Sequence, residues 1–285
     1  MKAAVNAIKF FEHFTNTGLR GKITEKFFEF LLRTIKPRGD LILENLARVY
    51  PNSSEIWRKD IRGEVYKNLA WTLAETLALQ RSHEQAWNWV KVPNAKIIND
   101  LMKQNRGALL LSGHFGNWEL GASWLTQNAM EHGHKMHVIY QAIHDPDINE
   151  YLIKMRERYG LVMLDKEISV MKIAHMLKTG EHIILLNDVS GSGRVRVPFM
   201  GVEATNMPGP ALMAMLTDCA VVPLCIYRNA PFDHELTIFE PLELPQIQNH
   251  EERLKMVTLE MNKAVENFIK RKPEQWFWLH NRWKK

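Results

Sequence analysis

The sequence predicts an α/β fold, a mostly parallel central sheet flanked by helices and preceded by a helical extension. Three observations predict it. From Arg106 onward, short apolar runs alternate with helical stretches, as they do where crossover helices join parallel strands. Residues 1–105 instead read as a series of amphipathic helices. No internal repeat, low-complexity tract or linker divides the rest, and 285 residues with 46% hydrophobic content can bury a sizeable core. The expected organisation is a helical extension over 1–105 and one α/β domain over 106–285.

The extension begins with Ile8, Phe10, Phe11 and Phe14, then Ile23, Phe27, Phe28, Phe30, Leu31 and Leu32, two aromatic-rich helices around Gly18 and Gly21. With Lys22, Lys26, Arg33, Lys36 and Arg38 nearby, this is the composition of a helix lying in a membrane interface, and equally that of a helix packed on its own domain. No secretory signal is visible, because Lys, Glu and His break the apolar residues too early. No eighteen apolar residues run together, so a spanning helix is not predicted. A further helix, LILENLARVYP, stops at Pro51, and Asn52-Ser53-Ser54-Glu55 caps another running to Gln80. Strands are expected at 108–111, 135–141, 161–164, 182–186, 220–227 and 235–239, with helices at 118–130, 147–159, 169–178, 208–217 and 249–270.

Chemistry concentrates in LLLSGHFGNWE, residues 109–119. The apolar run ends in Ser112-Gly113, where glycine permits a tight exit, and Asn117 is a good N-cap for the helix from Trp118. This puts His114 at the carboxyl end of a strand beside a helix N-terminus, the edge where open α/β sheets bind ligands, with Glu119 in the first helical turn. The positive helix end favours a neutral imidazole, and a neutral His with a carboxylate in reach is a general base with an orienting group. On placement alone a His beside a Gly is more often a loop residue, and a Glu in a first helical turn more often serves the dipole. No Gly-x-Ser-x-Gly elbow is present, which counts against a serine hydrolase.

HFGNWE, followed by PFMGVEATNMPGPALMAM and PEQWFWLHNRWKK in that order and spacing, resembles the bacterial lipid A late acyltransferases of the wider His-x4-acid glycerolipid acyltransferase superfamily. The likeness runs from about Gly39 to Lys285 and includes an N-L-x-x-x-[YF]-P signature at Asn45-Leu46 to Tyr50-Pro51. It implies transfer of a fatty acyl chain from a thioester of acyl carrier protein or coenzyme A to a hydroxyl of a membrane glycolipid or lipid A precursor. The attack is direct, with His114 as base and Glu119 as its partner, and no cofactor or metal is required. It also implies lipopolysaccharide biosynthesis at the cytoplasmic face of the inner membrane. With no spanning helix predicted, the chain is expected to lie on that surface.

The resemblance extends to the remaining candidates. Arg156, four residues before Gly160, matches an arginine expected to meet a substrate phosphate or the oxyanion, with Arg158 in reserve; a guanidinium offers paired donors in a planar fork. Asp188 ends the strand EHIILLND, where a carboxylate is costly without partners or work. Asn117 and Arg194 complete the substrate-binding set. Arg194 and Arg196 alternate with Val195 and Val197, so in a ribbon both arginines share a face, available to a carrier protein, a phosphate or plain solvent. Val189 stands where the family has Gln. Gln141 stands where many relatives have Arg, which removes a positive charge near the acceptor and points to a less phosphorylated or different head group. Thr205 and Gly209 match the family's T-x-x-x-G lead into a helix whose Ala211, Leu212, Met213 and Met215 line an acyl slot or simply pack. Trp276 and Trp278 are expected to be buried.

A net charge of +5 suits anionic donors and lipid but does not choose between them. Cys219 and Cys225 lie in an apolar stretch, as reduced thiols would. Two other readings remain at the level of sequence: a lipid hydrolase or thioesterase using the same dyad, and a non-catalytic lipid-binding protein. Nine tryptophans and a basic balance also suit single-stranded nucleic acid, but no nucleic-acid motif is present and none is expected as a partner.

Overall fold

Ala108–Ser112 is buried at every residue, and its alternation divides the molecule. Leu109 and Leu111 point into one apolar cluster with Phe115, Ile183, Val221 and Phe268. Ala108 and Leu110 point into a second, with Leu120, Ile184 and Val222. A strand with apolar side chains on both faces needs cover on both, and the helices supply it. The computed structural model describes residues 2–81, 86–191 and 195–284.

Among the described residues four helices precede the sheet: α1 (Lys2–Phe14), α2 (Leu19–Ile35), α3 (Gly39–Val49) and α4 (Glu55–Leu79). Then follow β1 (Val90–Lys91), α5 (Ala95–Lys103), β2 (Ala108–Ser112), α6 (Trp118–Glu131), β3 (Met136–Tyr140), α7 (Pro146–Glu157) and β4 (Val162–Asp165). The remainder is α8 (Val170–Lys178), β5 (His182–Leu186), β6 (Val195–Phe199), β7 (Val202–Asn206), α9 (Gly209–Leu216), β8 (Ala220–Ala230), β9 (Asp233–Ile238) and α10 (His250–Arg271). The seven-stranded sheet has the order β1-β9-β8-β2-β5-β3-β4. All its pairs are parallel except β8 with β9, which only Pro231 and Phe232 separate, and so short a link can join only antiparallel strands.

The expected α/β alternation is therefore present, and the caps read from sequence form. Ser54 Oγ accepts from the Trp57 amide at 3.1 Å and Asn117 Oδ1 from the Leu120 amide at 3.1 Å. Besides the ribbon strands β6 and β7, two described elements lie outside the predicted alternation. Strand β1 is too short to show a period, and α5 carries Ile98, Leu101 and Met102 at helical spacing. The ribbon is real: β6 and β7 pair antiparallel, with Val195 and Val197 buried and Arg196 exposed, opposite Thr205 and 3.6 Å from the diagonal Glu203 carboxylate. Arg194 falls outside the described residues. Cys219 and Cys225 are free thiols.

The N-terminal helices are tied to the sheet through a buried charge. Glu75, on α4, is fully buried and takes hydrogen bonds from Arg228 Nη2 (2.8 Å), Asn117 Nδ2 (3.2 Å) and the Phe232 amide (3.1 Å), with His234 Nε2 at 3.0 Å. Burial alone would raise the carboxyl's pKa, but Arg228 and His234 hold it well below the usual range. Removing one partner of such a set leaves another charge buried and alone. Glu75→Ala should therefore lower the unfolding free energy by about 3–5 kcal/mol, read from denaturant titration, and a loss under about 1 kcal/mol would contradict this account.

Candidate active site

Strand register builds the site. Strands β2 and β5 pair in parallel with Ser112 opposite Leu186, and the Asn187 amide continues the ladder to Ser112 O at 2.9 Å. His114 and Asp188 each lie two residues past that last pair, so both emerge at the carboxyl edge of adjacent strands. Asp188 Oδ1 lies 2.9 Å from His114 Nδ1, and Oδ2 accepts from the His114 amide at 2.7 Å. The approach needs a glycine: a Cβ on Gly113 would come within 3.0 Å of Asp188 Cγ. Gly116 has φ of +49°, and a Cβ there would meet Ile226 O at 2.5 Å, so the loop between β2 and α6 needs glycine at both positions.

The Asp188 side chain is only 3% exposed. Burial would raise its pKa, but the charge of His114, hydrogen bonds from that residue's ring and amide, and a third from Trp276 Nε1 at 2.8 Å hold it at about 2. An ionised carboxylate only accepts, so Nδ1 carries the proton and Nε2 of neutral His114 keeps its lone pair. Among the described residues no hydrogen bond engages that Nε2. The side chain is 24% exposed, framed by the rings of Trp118 at 5.2 Å and Phe277 at 5.9 Å.

Two expectations change here. The helix N-terminus does not leave His114 with a lowered pKa. Burial pushes it down, yet Asp188 in direct contact and Glu119 beyond it raise it overall, because a paired carboxylate outweighs a dipole effect of roughly 0.3–1 kcal/mol. The contact expected of Glu119 also belongs to Asp188. Glu119, in the first turn of α6, is instead gripped by Arg156 from the last turn of α7, Nε to Oε2 at 3.0 Å and Nη2 to Oε1 at 2.6 Å. Trp118 Nε1 adds a third bond at 3.2 Å. Burial raises the Glu119 pKa, and Arg156 more than offsets this, so the carboxyl stays ionised.

The structure thus brings His114, Asp188, Glu119 and Arg156 together at one edge. Asn117 is fully buried, capping α6 and binding Glu75 rather than facing outward. Arg158 turns to α1, donating to Glu12 Oε1 at 3.0 Å and Gln80 Oε1 at 3.2 Å. Ala211 and Met213 are core residues, and Trp276 and Trp278 are buried. Sequence reasoning missed the hydrogen bond from Trp276 to Asp188. The matching offsets of 114 and 188 from their strand ends hold the clue to the His–Asp pairing, but it is usable only once β2 and β5 are known to be neighbours.

Comparison with known proteins bears on this arrangement. The profile of the bacterial lipid A biosynthesis acyltransferase family matches residues 5–285. The lipid A biosynthesis lauroyltransferase of Escherichia coli K12 is 28% identical over 89% of this chain and 81% of its own length. The palmitoleoyltransferase of the same strain is 25% identical over 88% and 80%. A phosphatidylinositol mannoside acyltransferase of Mycolicibacterium smegmatis shares 32% identity over 42% of this chain and 40% of its own. With a profile that spans both the N-terminal helices and the His114 edge of the sheet, the chain belongs to the bacterial lipid A biosynthesis acyltransferase family, and so to the acyltransferases.

Proposed function

We propose that the protein transfers a fatty acyl chain from an acyl thioester, of acyl carrier protein or coenzyme A, to a hydroxyl of a lipid A precursor or related membrane glycolipid. One observation carries the reading: the buried Asp188 carboxylate lies 2.9 Å from Nδ1 of a partly exposed His114, an arrangement that would hold the proton on Nδ1 and leave Nε2 to act as base. The acceptor hydroxyl gives its proton to Nε2 and attacks the thioester carbonyl. The tetrahedral intermediate collapses, the C–S bond breaks, and the imidazolium returns the proton to the departing thiolate. Asp188 stabilises the imidazolium in between. Glu119 adds negative charge near it and fixes the Arg156 guanidinium, whose Nη1 remains to meet a phosphate or the developing oxyanion. The acceptor class is supported by the names of the relatives.

The site of action in this reading is the cytoplasmic face of the inner membrane. No described helix is long and apolar enough to cross a bilayer. Leu19, Ile23, Phe27 and Phe30 fall on one face of α2, at spacings of four, four and three, and are 73%, 48%, 44% and 69% exposed, with Phe10 of α1 at 64%. A helix that turns large apolar side chains outward, with Lys22, Lys26 and Arg33 also exposed, suits an anionic lipid surface. Phe27→Ser combined with Phe30→Ser should weaken binding to anionic vesicles by about tenfold or more without changing the circular dichroism spectrum; unchanged binding would refute the docking face.

The function is tested by incubating the protein with labelled acyl carrier protein or acyl-coenzyme A and extracted bacterial lipid. A labelled glycolipid from the wild type is expected, with at least about a thousandfold loss in His114→Ala and a large loss in Glu119→Ala. Free fatty acid as the sole product would favour the hydrolase, and lipid binding without turnover a binding protein.

The pH dependence follows from the site. His114 must be unprotonated to accept a proton, and Asp188, with Glu119, favours its charged form against the cation Arg156. The acid limb of kcat/KM should therefore have an apparent pKa above the ordinary histidine value of about 6.5 and move to lower pH in Asp188→Asn. A limb that stays put in that variant would contradict the pairing.

A further inference from the structure

The C-terminal segment touches both loops that carry the proposed chemistry. Along the His114 loop it forms a short ladder: Gly116 N donates to Gln275 O at 3.1 Å, Phe115 and Trp276 form a β-bridge, and Phe277 N donates to His114 O at 3.1 Å. On the Asp188 loop it makes two contacts. Trp276 Nε1 donates to Asp188 Oδ2, and His280 Nε2 accepts from Ser190 N at 2.9 Å, with Ser190 Oγ at 3.0 Å. The segment is itself fastened from outside. Asn45 Nδ2 donates to Trp278 O and His280 O at 3.1 and 3.0 Å, and the Arg282 guanidinium, stacked 4.4 Å from the Phe199 ring, donates to Thr205 O at 2.9 Å.

We infer that this segment is a clamp that holds the Asp188 carboxylate in register with the His114 ring, with Trp276 and His280 as positioning residues of the transfer reaction. A carboxylate swivels about its Cβ–Cγ bond, and the two donors His114 supplies both belong to the loop that the pairing has to position. The Trp276 indole, 1% exposed and packed 4.6 Å from the Trp278 ring, adds a buried donor to Oδ2 from outside that loop and leaves Oδ1 for Nδ1. His280 restrains the backbone two residues further along. It serves as an acceptor, which requires its neutral form; burial and the nearby cations Lys284 and Arg282 favour that form over the opposing pull of Asp188. Neither residue contacts the reacting atoms in this account, which rests on His114–Asp188 being the base and its orienting group.

The test uses the full-length protein and separates positioning from stability. Trp276→Phe keeps a ring and removes one donor, and it should lower kcat about tenfold with KM within twofold, since a factor of ten corresponds to about 1.4 kcal/mol in the barrier. In an Asp188→Asn background the same change should cost less than twofold, because its route of action is gone. His280→Gln, which retains an acceptor, should recover most of what His280→Ala loses. A readout independent of turnover is the ¹⁵N spectrum of His114, expected as the Nδ1–H tautomer in the wild type and mixed with Nε2–H in Trp276→Phe. Full kcat in both Trp276→Phe and His280→Ala, equal losses in the two backgrounds, or an unchanged tautomer would overturn the clamp. Undiminished turnover in His114→Ala and Asp188→Asn would instead overturn the reading beneath it.

Discussion

The contact between Asp188 and His114 depends on a parallel register, and most of the site depends on that contact. Two strands ending level with one another deliver a residue each to the same edge at the same offset. Gly113 lets the chains approach closely enough for a carboxylate and an imidazole to meet. A buried carboxylate is costly unless hydrogen-bonded, and the donors around Asp188 all come from the loop it serves or from the C-terminal segment. The charge that makes the site expensive to bury is the charge that fixes the tautomer of the base.

The helical extension is part of the same construction. Glu75 on α4 reaches the N-cap Asn117 and the strand residue Arg228, while Thr72 Oγ1 donates to Gly116 O at 2.6 Å. The loop from His114 to Glu119 is thus held from below by β2, from one side by α4 and from another by the C-terminal segment. On the far side α1 packs near α7 through Glu12, which accepts from Tyr151 and Arg158. The same helix α7 carries Arg156 to Glu119. Helices with an outward apolar stripe are therefore in physical contact with elements that hold the site.

Much of the architecture was legible because it rests on local signals. Alternating strands and helices, the caps at Ser54 and Asn117, and the role of His114 as an edge residue follow from periodicity and from short-range hydrogen bonding. Which strands are neighbours is a long-range fact, and it decides which carboxylate meets His114. Five-residue spacing in sequence favours Glu119, whereas the fold joins residues 74 positions apart. Glu119, in the first turn of α6, faces Arg156, in the last turn of α7, although β5 separates the strands β2 and β3 that these helices follow. The apolar face of α2 was visible as a pattern, but whether it pointed in or out depended on Gly21, Thr24 and Glu25 taking the inner side. The hydrogen bond from Trp276 to Asp188 carries no sequence pattern, since a buried tryptophan in a tail looks the same with or without a partner for its N–H.

The central claim, that Asp188 rather than Glu119 sets the proton affinity of His114, is tested most directly by a ¹⁵N titration of His114 in the wild type, Asp188→Asn and Glu119→Gln. The account predicts a pKa above the ordinary histidine value in the wild type, with its larger fall in Asp188→Asn and a smaller one in Glu119→Gln. A larger fall in Glu119→Gln, with Asp188→Asn close to the wild type, would contradict it.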